Sequence, residues 1–261
     1  MSHAVGAKWS ESVHVGSGVA PREPDATRGM VSIILATYNE RENIRETITS
    51  VFSYVPGPAE IVVVDDDSPD ETWKLVVSLG HPNVKVIRRV ATRGLASAFM
   101  RGIIESRGDI VGWMDADMCM PPSLLPRMIE RLQDHDVVVG SRYAPGGADE
   151  RTRLRMAASV LINRFAGLVL GYGIRDYDSG FVVVRRSVFD KVSIIPTGYG
   201  AYFIEFIYAC CRKGLRVCEV PYTFRDRTQG LSKSFTSLRQ FVCLGSAYVF
   251  RILRARFRRI D

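Results

Sequence analysis

Residues 31–67 read VSIILATYNERENIRETITSVFSYVPGPAEIVVVDDD. Val31–Ala36 is a short apolar run of the kind found in a strand buried on both faces. Asn39 is placed to cap a following helix, with Glu42 in the capping-box position. Ile44, Ile48, Val51, Phe52 and Val55 recur on one helical face, and Pro56-Gly57-Pro58 stops it. Ile61–Val64 is a second apolar run, ending in three aspartates. Strand, helix and strand in this order predict a βαβ unit, hence a right-handed crossover and a parallel sheet.

The alternation continues. Ser68-Pro69-Asp70-Glu71 combines an N-cap Ser, a first-turn Pro and a later Glu, so a second helix is expected to start there and end near Gly80. Val84–Ile87 reads as a third strand, 94–106 as a helix, Ile110–Met114 as a fourth strand ending on Asp115, 123–133 as a helix and Val137–Val139 as a fifth strand. The expected fold class is α/β, a mostly parallel sheet flanked by helices. Ligands of such sheets bind at the carboxyl ends of the strands. Residues 1–29, rich in Gly, Ser, Pro and charge, read as a mobile extension.

The chain has 261 residues, of which 46% are hydrophobic and 24% charged, so disorder, collagen and coiled coil are excluded for most of it. Its five cysteines (119, 210, 211, 218, 243) form no C-x-x-C pair, the four histidines are scattered, and no signal peptide is visible. These features point to reduced thiols in a cytoplasmic setting and against a His-built zinc site. Cys210-Cys211 reads as core packing.

The net charge of +7 is unevenly placed. Residues 1–150 hold 15 Lys and Arg against 21 Asp and Glu, whereas 151–261 hold 20 against 7. A basic half implies a polyanionic partner: nucleic acid, an anionic membrane or a phosphorylated substrate. It lacks the aromatic–basic interleaving of an RNA module, so nucleic acid is not the expected partner.

Residues 156–174 are mostly apolar and carry no charge except Arg164. A central Arg costs about 2.5–3.5 kcal/mol on insertion, so a packed or surface-lying amphipathic helix is expected rather than a span. Residues 240–250 are charge-free and run into Arg251, Arg254, Arg256, Arg258 and Arg259. This segment reads either as an interfacial anchor or as a core helix with a solvated basic end.

The chemistry-bearing residues gather at strand ends. Asp65, Asp66 and Asp67 follow the second strand, and Asp115 and Asp117 the fourth. Carboxylates so close repel unless a cation or donors sit among them. Asp115-Ala116-Asp117 offers two carboxylates on one turn, which suits a divalent ion bridging phosphates. No P-loop, G-x-G-x-x-G or G-x-S-x-G motif is present. A nucleotide-diphosphate site built from a metal and carboxylates is what remains.

Six segments in order carry a resemblance: Ala36–Ile44, Val64–Asp70, Met114–Asp117 with Pro121-Pro122, Gly140–Tyr143, Asp178–Phe181, and Val220-Pro221-Tyr222 through Arg227, Gly230, Ser232 and Lys233. Together they resemble the family-2 glycosyltransferases of GT-A fold, specifically the dolichol-phosphate mannose synthase group of polyprenol-phosphate mannosyltransferases. The resemblance implies a GT-A domain over 30–233 followed by a basic amphipathic helix over 234–261. It implies transfer of mannose from GDP-mannose to a polyprenyl phosphate with inversion, with Mg2+ or Mn2+ as cofactor. Donor-binding positions would be Tyr38, Glu40, Val64, Asp66, Asp115, Ala116, Asp117, Arg142, Arg227 and Lys233. Asp115 and Asp117 would hold the metal, and Asp117 and Arg142 would be catalytic. Arg142, Ser179, Arg227 and Lys233 would receive the acceptor phosphate, and Glu205 would line the cavity near it.

Ala36 stands where the family usually has Pro, Cys119-Met120 where relatives often have Gln or Ser and then His, and Ala96 where they have Gly. At position 119 water would then replace a metal ligand. Localisation is expected to be cytoplasmic and peripheral to the membrane, contact coming from interfacial helices or a membrane-anchoring partner subunit. The rival readings are a transferase using a UDP-sugar or a non-lipid acceptor and, from another class, a non-catalytic membrane- or RNA-binding protein.

Overall fold

The computed structural model describes residues 29–198, 200–226 and 238–258. The expected extension up to residue 28, and Arg227 and Lys233, lie outside the described residues.

The order is β1 (Val31–Thr37), α1 (Ile44–Tyr54), β2 (Ala59–Asp65), α2 (Thr72–Ser78), β3 (Val84–Arg88), α3 (Leu95–Glu105), β4 (Ile110–Asp115), a short 3₁₀ turn, α4 (Leu125–Arg131), β5 (Val137–Ser141), β6 (Ala148–Asp149), α5 (Arg153–Leu170), β7 (Val182–Arg185), α6 (Ala201–Arg212), β8 (Val217–Pro221), β9 (Thr223–Phe224) and α7 (Leu238–Phe257). Seven strands form one sheet in the order β3-β2-β1-β4-β7-β5-β8, and β6 pairs with β9 in a two-stranded ribbon. All pairings are parallel except those of β7, which runs antiparallel to both β4 and β5. Val182–Val184 is buried on both faces, and an all-apolar run carries no mark of direction.

Apolar side chains leave the sheet on both sides. One core joins Ile34, Val62, Val111 and Val182 to α3, α5, α6 and α7, and the other joins Ile33, Val63 and Val183 to α1 and α4. The register decides where function can sit. Ala36 lies beside both Val64 and Asp115, and Thr37 beside Asp65. The β2 and β4 aspartates therefore flank the tip of β1 in one row, where strand order reverses and open sheets bind ligands.

Two helix starts differ from the sequence reading. Asn39 has a left-handed backbone (φ 54°), and α1 starts only at Ile44. Its side chain accepts the Asp70 N–H instead, tying two loops together. Ser68 does not cap α2, which starts at Thr72. Asp70 takes the Thr72 N–H at 2.9 Å, and Ser68 turns back to Asp65. In both places a short polar side chain bonds across a loop rather than along its own helix.

α5 is amphipathic, burying Ser159, Asn163, Ala166 and Leu170 while Leu154, Leu161 and Leu168 face outward. Among the described residues no helix is long and apolar enough to cross a membrane. α7 packs against α5 and α6, burying Ile252 and Ala255 and exposing Phe250, Leu253 and Phe257. The helix thus packs one face into the core, as the core-helix reading expects, and leaves the other face open. Cys210 is fully buried, as expected, and burial pushes the neighbouring Cys211 thiol up to about 11.

Candidate active site

The three aspartates after β2 have three different fates. Asp65 is fully buried and accepts the Thr37 hydroxyl at 2.7 Å, the Ser68 N–H at 2.8 Å and the Ser68 hydroxyl at 2.6 Å. It ties strand tip to loop and faces no cavity. Asp66 accepts Arg89 Nε at 2.6 Å and the Gly94 N–H at 2.7 Å. Asp67 pairs near the surface with Arg88, whose guanidinium lies 4.2 Å from the Trp73 ring centre. The repulsion expected among them is thus relieved by the protein's own donors. Asp65→Ala should cost about 2–4 kcal/mol in urea unfolding, because three buried donors lose their acceptor. Asp67→Ala should cost under about 1 kcal/mol, as for other half-exposed ion pairs.

Around this tip, Tyr38 stacks under the Arg93 guanidinium at 5.1 Å. Glu40 is buried, its N–H on Thr72 Oγ1 and its carboxylate on the Asn43 amide at 3.0 Å. Val64 is sealed in the sheet core, so its side chain offers a ligand no surface. Ala116 is buried, and its carbonyl accepts the Thr47 hydroxyl at 2.9 Å.

Asp115 and Asp117 open into a cavity of about 600 Å³ bounded by the tip of β4, the loop before β7, α5 and α7. Asp117 Oδ1 accepts the Cys119 N–H at 3.1 Å, which fixes the turn, and the intervening Met118 sits at φ 62°. Among the described residues no group of three or more His, Cys, Asp or Glu is arranged to hold an ion. Asp115 and Asp117 nevertheless form a hard-oxygen pair at one strand tip. That donor set fits Mg2+ or Mn2+, which take one or two carboxylates and fill the shell with phosphate and water.

Arg142 reaches the same cavity but is buried and locked. Asp176 accepts its backbone N–H and Nε, each at 2.8 Å, and its Nη2 at 2.6 Å, while the Asp178 carbonyl takes Nη2 at 3.0 Å. Burial opposes the cation, and Asp176 overrides it, so the guanidinium is held more firmly protonated than usual. One edge of the fork is therefore committed, and any contact with a phosphate must use Nη1.

Ser179 lines the cavity, but its hydroxyl donates to the Gly140 carbonyl and accepts the Phe181 N–H at 3.2 Å. With its proton so placed, it shapes the loop rather than donating to an anion. Glu205 does not line the cavity. It lies buried on α6 and accepts Arg251 Nη1 at 2.8 Å, because α7 covers the face of α6 that carries it.

The structure adds residues that the sequence reading did not single out. Arg151, Arg155 and Ser159 line the cavity at four-residue intervals along α5 and its approach. Arg151 is held by Asp149 and sits 4.9 Å from the Phe224 ring centre, and Arg155 faces Asp226 at 3.6 Å. The Ser159 hydroxyl oxygen is buried without a hydrogen-bond partner among the described residues. The i, i+4 spacing is visible in sequence, but spacing alone does not tell a cavity-lining arginine from a solvent-facing one. Leu154, Ala157, Leu161 and Val249 line the other side, Leu154 and Leu161 at its exposed rim, so arginines stand at one end of the cavity and apolar side chains along one side.

Asp178 also faces the cavity. Burial pushes its carboxyl up to about 6, against the pull of Arg142. A folded-state value above the unfolded 3.8 means that the native state holds this proton longer, so stability falls as pH rises from about 4 to about 6. Asp178→Asn should remove that slope and raise stability at pH 8 by up to about 3 kcal/mol, read by urea titration across the pH range.

A family model described as glycosyl transferase family 2 matches residues 32–193. The chain is 40% identical over 211 residues to the dolichol-phosphate mannosyltransferase of Pyrococcus furiosus, covering 78% of this chain but only 58% of that protein. It is 32% identical to the polyprenol monophosphomannose synthase of Mycolicibacterium smegmatis, covering 84% and 85% of the two chains. In structure it is similar to glucosyl-3-phosphoglycerate synthase from Mycobacterium tuberculosis, solved with Mn2+, UDP and glucosyl-3-phosphoglycerate. There the TM-score is 0.64 and the identity 20%, over 87% of this chain and 79% of that one, a likeness of fold. The same protein solved with Mg2+ and UDP gives a TM-score of 0.65 at 18% identity, over 87% and 79%. With its parallel sheet, its single reversed strand and its carboxylates at the tip of β4, the chain belongs to glycosyl transferase family 2, on a GT-A fold.

Proposed function

We propose that the chain transfers mannose from GDP-mannose to a polyprenyl phosphate, with inversion and with Mg2+ or Mn2+, at a membrane surface. One observation carries this reading: a single cavity joins the β4 carboxylates to three arginines and to an apolar wall between α5 and α7. A polyprenyl phosphate has the same make-up, an anion on an apolar chain. The names of the relatives from Pyrococcus furiosus and Mycolicibacterium smegmatis support the same acceptor class.

The acceptor phosphate is already an anion, so the nucleophile requires no general base, and catalysis reduces to positioning and charge neutralisation. Asp115 and Asp117 would hold the cation, which supplies Lewis-acid stabilisation of charge on the leaving nucleoside diphosphate. Arg142 through Nη1, Arg155 and the Ser159 hydroxyl would hold the incoming phosphate, with Arg151 adding positive potential. Tyr38, Glu40 and Asp66 flank the β1 tip, where the nucleoside would lie. Arg227 and Lys233 are assigned to the two phosphates by the resemblance. Attack from the side opposite the diphosphate inverts the anomeric carbon.

The outward faces of α5 (Leu154, Leu161, Leu168) and α7 (Phe250, Leu253, Phe257), with Arg254, Arg256 and Arg258 alongside, form an apolar and basic surface suited to an anionic bilayer. On this reading the protein would sit peripherally at the cytoplasmic membrane face.

Thermal unfolding with GDP-mannose, UDP-glucose and UDP-GlcNAc, each with and without Mg2+, tests the donor. GDP-mannose with Mg2+ should stabilise by about 2.7 kcal/mol at a concentration a hundred times its Kd. Stabilisation by a UDP-sugar instead, or by RNA alone, would overturn the reading.

A further inference from the structure

α7 forms one wall of the cavity through Gly245, Tyr248 and Val249, and what holds it there is a loop shaped to receive two of its side chains. Arg251 sits one turn beyond Tyr248 and, unlike the outward arginines further along, is turned inward, its side chain only 15% exposed. Its Nη1 donates to Glu205 on α6 at 2.8 Å, and its Nη2 to Thr197 Oγ1 at 2.9 Å. Glu205 Oε1 is buried with no hydrogen-bond partner among the described residues. Arg251 is thus the counter-charge for a buried carboxylate, and losing it leaves that charge uncompensated.

Two glycines make room for these contacts. Gly198 has φ +88°, and the Arg251 guanidinium lies 2.7 Å from where a Cβ would stand. At Gly200 the Tyr248 hydroxyl occupies the Cβ position, with Asp178 Oδ1 3.1 Å from it. The second contact ends on Asp178, beside Arg142, so the seat of α7 is continuous with the anion-binding end of the cavity.

We infer that Arg251, through Glu205 and Thr197, is a positioning residue that seats α7 as the acceptor-side wall of the cavity. The inference rests on the proposed polyprenyl-phosphate acceptor for its kinetic arm only. Loss of the clamp releases the wall without touching the β1–β2 tip where the donor would lie. It therefore acts on the acceptor and spares the donor.

The test compares the full chain with Arg251→Met and Arg251→Lys by hydrogen exchange and by transfer kinetics. Arg251→Met should speed exchange of α7 amides and raise the KM for polyprenyl phosphate, each about tenfold or more, with the KM for GDP-mannose unchanged within about twofold. Lys keeps the charge but loses the planar two-acceptor fork, so it should restore the acceptor KM to within about threefold of wild type. Two outcomes overturn the inference: wild-type α7 exchange in Arg251→Met, or donor and acceptor KM rising together. If the wild-type chain makes no lipid product, the proposed acceptor fails, and α7 exchange alone decides the clamp.

Discussion

Asp117→Ala should lower mannose transfer by about 10³-fold or more, a loss typical of removing a main source of charge stabilisation at the reacting centre. Asp115 ends β4, paired with β1, and Asp117 lies in the turn just beyond it, held by the Cys119 N–H, so both carboxylates face the cavity from the end of one strand. Truncation also removes the acceptor of the Cys119 N–H and loosens the turn. Asp117→Asn separates the two effects, because its side-chain oxygen still accepts that N–H while the negative charge is gone. Both variants should lose Mg2+-dependent stabilisation by GDP-mannose, and the Asn variant should unfold at the wild-type temperature. Turnover within about tenfold of wild type in both would rule out a metal role for this residue.

Arg142→Met should have the largest effect on stability. The guanidinium and Asp176 are both buried, and removing the cation alone strands a carboxylate that is fully shielded from water. That costs about 3–5 kcal/mol. For a chain of this size it lowers Tm by roughly 10 °C. Replacing both partners, as Arg142→Met with Asp176→Asn, should recover most of that loss, since an apolar and a neutral polar group no longer demand each other. The double variant should still transfer at least about 100-fold more slowly than wild type if, as proposed, Arg142 Nη1 holds the acceptor phosphate. Denaturant unfolding and transfer rates measured on the four proteins of the cycle separate the structural role from the functional one. If the double variant regains full activity, Arg142 acts only on the fold.

These predictions differ from what the sequence alone suggests, and the reason is local. The βα alternation is written in apolar runs whose length and spacing leave few options, so β1 to β5 and the row of strand tips could be read directly. The reversed β7 could not, because Val182–Val184 looks the same in either direction. Asp65, Asp66 and Asp67 looked like one anionic cluster. Only their partners, Thr37 and Ser68, Arg89, and Arg88, show that each is already satisfied. Arg142 was legible as a site residue but not as a locked one, since Asp176 lies 34 residues away. Arg155 and Ser159 were missed because a basic, apolar helix looks alike whether it faces lipid or lines a cavity. α5 does both, presenting Ser159 to the cavity and Leu168 outward.

The stability gain predicted for Asp178→Asn belongs to the same pattern. A carboxyl placed 4.0 Å from Arg142 but bonded to it only through its backbone carbonyl keeps a costly buried charge at neutral pH. A group that destabilises the fold while facing the reacting centre is the usual mark of a site shaped for function.

The most direct measurement follows radiolabelled mannose. The full chain is incubated with labelled GDP-mannose, Mg2+ and a polyprenyl phosphate in anionic vesicles, and the mixture is extracted with organic solvent. Label is expected in the lipid phase, dependent on the divalent ion and absent with Asp117→Asn. Label that stays wholly in the aqueous phase, or that reaches the lipid equally well with Asp117→Asn, would contradict the proposed transfer.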